Sequence, residues 1–138
     1  MPKADVAGEL VLIVDDNIQN LKLVRLILAN EGYDIRTAVD AEEALALLRT
    51  STPHVILMDL QLPGMDGLQL ARQLKADSAT RGIRIIALTA YAMKGDEEKA
   101  FAAGCDGYVS KPIDTERLPA IVRSHVSGAE AGNERIRR

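Results

Sequence analysis

This sequence predicts an α/β domain with a buried parallel sheet, and three observations carry the prediction. Apolar runs of strand length recur at Leu10–Val14, Val55–Met58 and Ile85–Leu88, with a shorter one at Tyr108–Val109. Stretches of helical apolar spacing separate them, an alternation that calls for parallel strands joined by crossovers. Each run also ends on a charged or hydroxylic side chain: Asp15-Asp16, Asp59, Thr89, and Ser110 followed by Lys111-Pro112. Right-handed crossovers bring the carboxyl ends of such strands to one edge of one sheet, so these polar residues converge.

Taken in chain order, Met1–Ala7 is a polar lead-in and the first strand runs to about Val14. Ile18 to Glu31 places Leu21, Val24 and Leu28 at three-then-four spacing on one helical face, and Gly32 suits the C-terminal cap. Tyr33 to Ala38 reads as a second strand, more polar than the others, as befits a sheet edge. Asp40 followed by Glu43 resembles a capping box opening a helix through Arg49, and Pro53 stops the chain before the third strand. After Asp59 a loop with Pro63, Gly64 and Gly67 precedes a helix from about Leu68 to Lys75, and Asp77 to Gly82 is a polar turn into the fourth strand. Asp96, Glu97 and Glu98 complement the positive end of a helix that runs to Ala103 and is closed by Gly104. The fifth strand covers about Tyr108 to Ser110. Asp114 can cap a last helix from Thr115 to Val126 that packs through Leu118, Ile121, Val122 and Val126, with Pro119 near its first turn. From Ser127 to Arg138 only Ile136 is a large apolar residue, so 127–138 is expected to be a flexible tail. The expected organisation is one domain over 8–126 between the lead-in at 1–7 and that tail.

The convergence has chemical consequences. Three carboxylates at one edge repel one another unless a cation neutralises them, and an all-oxygen set suits a hard divalent ion such as Mg²⁺. Asp59 ends a wholly apolar strand, where its carboxylate can act as a nucleophile; a cap role for it would explain neither the acidic pair nor the lysine. Asp15 and Asp16 can hold the metal directly or through water, whereas a simple helix cap needs only one of them. Lys111 offers a compact cation for phosphoryl oxygens, against the usual fate of a lone Lys as a solvated charge. Thr89 either ends its strand or donates a hydroxyl.

These residues resemble the response-regulator receiver family of two-component signalling. Its pattern is an acidic pair after the first strand, a phospho-accepting Asp after the third, Thr or Ser after the fourth and Lys-Pro after the fifth, and Asp15-Asp16, Asp59, Thr89 and Lys111-Pro112 supply it in order. Leu62-Pro63-Gly64-Met65-Asp66-Gly67 and Gly104-Cys105-Asp106-Gly107-Tyr108 look like the family's loops, and Ala92-Met93-Lys94-Gly95-Asp96-Glu97-Glu98 looks like stand-alone receivers of the DivK type and receivers of hybrid kinases.

The resemblance implies a flavodoxin-like (βα)5 doubly wound sheet with strand order 2-1-3-4-5 and the site at the switch point between the first and third strands. It implies a Mg²⁺-dependent phospho-acceptor at Asp59, with Mn²⁺ as an alternative metal and the backbone carbonyl of Gln61 as a further ligand. It implies a cis Lys111–Pro112 bond and switch roles for Thr89 and Tyr108, although Tyr108 also fits a half-buried strand position. The phosphoryl group would come from a phosphohistidine on a histidine kinase or phosphotransfer protein, and the output partner would meet the fourth helix, fifth strand and fifth helix. The protein would catalyse its own phosphorylation and dephosphorylation and otherwise be no enzyme.

Composition narrows the alternatives. At 138 residues there is room for one domain of this kind, and a net charge of −3 argues against nucleic-acid binding through clustered cations. A single Cys105, no apolar leader and no run long enough for a bilayer predict a cytoplasmic protein without direct membrane insertion. Cys105 reads as a small core or loop residue, and His54 and His125 as surface or packing residues rather than a metal pair. A flavodoxin-type electron carrier would need phosphate-cradling donors where Asp15-Asp16 stand. A haloacid-dehalogenase-type phosphatase would want an Asp where Gln61 stands, and its nucleophile follows the first strand rather than the third. A degenerate receiver used only for docking would lack some of the five site positions.

Overall fold

The computed structural model describes residues 8–89 and 95–126. The expected lead-in at 1–7, the tail at 127–138, and Ala92, Met93 and Lys94 of the DivK-like stretch lie outside the described residues. Strands β1 (Leu10–Val14), β2 (Asp34–Ala38), β3 (Val55–Asp59), β4 (Arg84–Thr89) and β5 (Gly107–Ser110) alternate with helices α1 (Ile18–Asn30), α2 (Ala41–Leu48), α3 (Gly67–Ala76), α4 (Asp96–Ala102) and α5 (Leu118–Val126). The strands form one parallel sheet in the order β2-β1-β3-β4-β5, the predicted doubly wound topology.

Alternation along the strands divides the core between the two faces. Val11, Ile13, Leu57, Ile86 and Leu88 pack with Leu21, Val24 and Leu28 of α1 and with Leu118 and Val122 of α5. Leu12, Val14, Ile56, Met58, Ile85 and Ala87 pack instead with Ala41 and Ala44 of α2, Leu70, Ala71 and Leu74 of α3, and Ala100 of α4. All five residues of β3 are buried, which is why Val55–Met58 is an unbroken apolar run up to Asp59. Truncating a fully buried member such as Leu57 to Ala would cost roughly 2–5 kcal/mol.

Local chemistry sets the element ends. Asp40 and Glu43 make a variant of the capping box: Glu43 N donates to Asp40 Oδ1 at 2.8 Å, and the Glu43 carboxylate reaches one residue past the cap, with Val39 N donating to its Oε1 at 2.8 Å. Gly32 ends α1 with a φ of 102°, the left-handed geometry that glycine takes without steric cost. One boundary differs from expectation by more than a residue. α5 starts at Leu118, not Thr115, because the Asp114 carboxylate accepts from both Glu116 N and Arg117 N and closes a separate turn; Leu118 N then bonds Asp114 O. Pro119 is thus the second helical residue, where its missing N–H leaves no bond unmade.

Candidate functional site

Two strand ends carry matching turns. At the end of β1 the Asp15 Oδ1 atom accepts from Asn17 N at 2.9 Å, and at the end of β3 Asp59 Oδ1 accepts from Gln61 N at 2.9 Å. Each carboxylate is therefore oriented by the amide two residues on, with its second oxygen left to face the cleft. Asn17 contributes again by capping α1, its side chain accepting from Asn20 N at 3.0 Å. Asn is a favoured helix cap by type, so this contribution is signalled in the sequence at Asn17.

The two second oxygens meet one cation. Lys111 Nζ lies 3.1 Å from Asp15 Oδ2 and 3.1 Å from Asp59 Oδ2. Its chain leaves β5 beside β4, with Lys111 N donating to Thr89 O at 2.7 Å, and the Lys111–Pro112 peptide is cis. Asp16 stays exposed, and oxygens of Asp15, Asp16 and Asp59 all lie within 4.8 Å of one another. No sulfur or nitrogen belongs to this donor set, so its chemistry fits a hard divalent cation.

Burial and charge oppose each other here. Burial raises the Asp59 carboxyl above its ordinary range; the Gln61 amide and Lys111 pull it down, Asp15 pushes it up, and the net direction is upward. Burial alone would depress the Lys111 ammonium, but its hydrogen bonds to Asp15 and Asp59 outweigh that and the net shift is upward. Lys111 accordingly stays charged beside two acids.

Thr89 is buried at the end of β4, in register with Ser110 of β5. Tyr108, half-buried on β5, packs against the α2–α4 face of the core, and burial followed by Asp96 and Glu97 raises its hydroxyl. The remaining singled-out residues stand elsewhere. Cys105 is buried in the core with its thiol pushed up to about 12 by burial. His54 pairs with Glu9 at 2.6 Å, while His125 lies over Gly107 with its ring nitrogens 2.9 Å from Ile121 O and 3.2 Å from Asp106 O. Both histidines line one cleft with Thr52, Pro53 and Arg84, a proximity invisible in their sequence separation. Among the described residues, no helix is long and apolar enough to cross a membrane.

A five-stranded 2-1-3-4-5 sheet with three acids and a lysine at its carboxyl edge defines a class of protein, and this chain belongs to it: the response regulator receiver domain family, which matches residues 11–123. Receiver domains are signalling regulators rather than conventional enzymes. Within the family, the chain is 43% identical over 129 residues to the polar-differentiation response regulator DivK of Brucella anthropi, covering 94% of this chain and 100% of that protein. DivK of Brucella ovis is 44% identical over 119 residues, 86% of this chain and 97% of that protein. Among solved structures, the receiver domain of sensor histidine kinase PA1611 from Pseudomonas aeruginosa, which has a magnesium ion coordinated in its active site cleft, superposes with a TM-score of 0.80 at 33% identity, covering 88% of this chain and 100% of that one. The chemotaxis response regulator CheY4 of Vibrio cholerae gives a TM-score of 0.80 at 28% identity, over 86% of this chain and 99% of that one.

Proposed function

We propose that this chain acts as a single-domain response regulator whose Asp59 accepts a phosphoryl group from a phosphohistidine of a histidine kinase or phosphotransfer protein. An Asp59 oxygen attacks phosphorus, the P–N bond to the donor imidazole breaks, and the leaving nitrogen keeps the electron pair and takes up a proton. The observation that carries this reading is Lys111, bridging Asp59 and Asp15 at 3.1 Å to each, because that cation sits where charge on transferred phosphoryl oxygens must be met.

Asp15, Asp16, Asp59 and the Gln61 carbonyl would hold Mg²⁺ or, as an alternative, Mn²⁺. When bound, that ion draws charge from the phosphoryl oxygens and aligns them for in-line transfer. Lys111 then turns from the carboxylates to the phosphoryl oxygens, and the Thr89 hydroxyl donates to one of them from the next strand. Tyr108 follows Thr89, and the affected surface spans α4, β5 and α5. A groove of about 380 Å³ on that surface, lined by Glu97, Tyr108, Ser110, Arg117 and Ile121, supports this choice of output face. The same site hydrolyses the acyl phosphate when water attacks phosphorus and the Asp59 carboxylate leaves. A cytoplasmic setting accompanies this reading.

Incubation with acetyl phosphate and Mg²⁺ tests it by intact-mass measurement. One phosphoryl group per chain is expected, and none when a chelator is present from the start of the reaction; no adduct in the presence of Mg²⁺ would overturn the reading.

A further inference from the structure

We propose that the basic segment Arg135-Ile136-Arg137-Arg138 docks back on its own domain, in the groove between α4, β5 and α5, and holds that face until a partner displaces it. Residues 127–138 continue the chain past α5, and their charges are ordered. Glu130 and Glu134 come first, and three arginines with Ile136 among them follow. Ile136 is the one large apolar side chain of the stretch.

The groove offers the complementary chemistry. Tyr108, Val109 and Ile121 line it and are half-buried, an apolar floor for one aliphatic side chain. Glu97 and Asp114 are its acids, and Arg117 is the one cation among the described lining residues. Asp96 and Glu98 flank Glu97 in the first turn of α4, and Glu116 follows Asp114 by two residues. Asp96 and Glu97 also raise the Tyr108 hydroxyl, so the acidic side of the groove reaches its apolar floor. Carboxylates thus border a seat for Ile136, and a guanidinium suits them because it presents paired donors.

Geometry permits the return. α5 runs from the carboxyl edge of the sheet to the amino edge, where Val126 lines the cleft with His54 and Gly82. Ile136 is ten residues beyond Val126, and an extended chain of that length covers about 33 Å. Going back along α5 from Val126 to Leu118 needs only about 12 Å. Gly128, two residues past the helix, is the residue type at which chains leaving a helix reverse. A tether of this length holds the segment at an effective concentration on the order of 1 mM. A contact with a dissociation constant of about 1 mM is then about half occupied, and it weakens a competing partner about twofold.

The regulatory meaning rests on the output face assigned above, which the Asp59 adduct judges separately; the docking itself is read without phosphodonor or metal. Amide chemical shifts of the full chain test it. Arg135→Ser, Arg137→Ser and Arg138→Ser combined should shift the amides of Glu97, Tyr108, Ser110 and Ile121. Those of Thr52, His54 and Gly82, at the cleft beside Val126, should stay unmoved. In a Glu97→Lys background the same three substitutions should move the groove amides less, because one pairing charge is gone. Groove amides that ignore the three substitutions would overturn the proposal. Changes centred on Thr52, His54 and Gly82 would overturn it too, by putting the segment in the other cleft. Changes that disappear on about tenfold dilution would assign the groove to the segment of a second copy and overturn the fold-back.

Discussion

Lys111 and Asp15 are 96 positions apart in the chain, and their side chains meet at 3.1 Å across the carboxyl edge of the sheet. Among the described residues, the lysine is the one cation paired with both Asp15 and Asp59, and its side chain is only 13% exposed. Replacing it with Met keeps the stem and removes the charge, leaving two buried carboxylates facing each other. Lys111→Met should lower metal-free stability by about 2 kcal/mol, below the cost of breaking a fully buried pair because Asp16 and solvent border the site. Urea unfolding in the presence of a chelator measures it. An unchanged midpoint would show that the bridge contributes nothing to the fold.

Asp59 should behave in the opposite sense. Burial leads the causes that hold its carboxyl above the ordinary range, so the folded state takes up its proton more readily than the unfolded chain does. Ionisation therefore costs the folded state stability: the cost is absent below the unfolded-state pKa and complete above the folded-state one. Asp59→Asn removes it. Without metal the variant should be more stable than wild type at pH 7, and the advantage should fade as pH drops through the carboxylate range. A variant less stable at pH 7 would mean that the attraction of Lys111 outweighs burial.

Tyr33, at the entry to β2, carries the one buried side-chain polar atom without a hydrogen-bond partner among the described residues, its hydroxyl. Burial pushes that hydroxyl up to about 12. Tyr33→Phe keeps the ring in the α1 and α5 face of the core and removes the unmet group. It should raise stability by roughly 1 kcal/mol, read by thermal or urea unfolding. A loss of stability would reveal a partner for the hydroxyl, such as an ordered water.

The sheet and most of the acidic site could be read from the sequence because their signals are local. An unbroken apolar run such as Val55–Met58 has few structural outcomes, and the residue that ends it has to lie at the edge. Side-chain geometry across the edge was not legible in that way. Nothing in the spacing of Asp15, Asp59 and Lys111 says that one ammonium bridges both acids, and the turns through Asn17 and Gln61 depend on backbone paths that only the fold defines. The start of α5 was misplaced for a related reason: Asp114 is a good cap by type, but its carboxylate serves two amides of a preceding turn. Gly67 looked like loop punctuation, whereas its reason is the closeness of Leu60 and Asp59.

In the proposed function, Thr89 is the residue that separates phosphorylation from its readout. A ligand shifts a two-state equilibrium only by its differential interaction, and inverting a 1:99 population takes about 5.5 kcal/mol, beyond one neutral hydrogen bond. Lys111, the metal and the packing of Tyr108 must share it. Thr89→Ala should still accept phosphate yet lose much of the change across α4, β5 and α5. Amide chemical shifts with and without beryllofluoride, a mimic of the bound phosphoryl group, check this. Equal shift changes in variant and wild type would contradict the coupling.

The most direct measurement is the chemical identity of the phosphorylated residue. After reaction with acetyl phosphate and Mg²⁺, hydroxylamine should release the phosphoryl group and leave a hydroxamate, because it cleaves an acyl phosphate and not a phosphoester. Peptide mass spectrometry should then find the hydroxamate at Asp59, with none in Asp59→Asn. A hydroxamate at Asp15 or Asp16 in the wild type, or a phosphoryl group that resists hydroxylamine, would contradict the assignment of Asp59 as the acceptor.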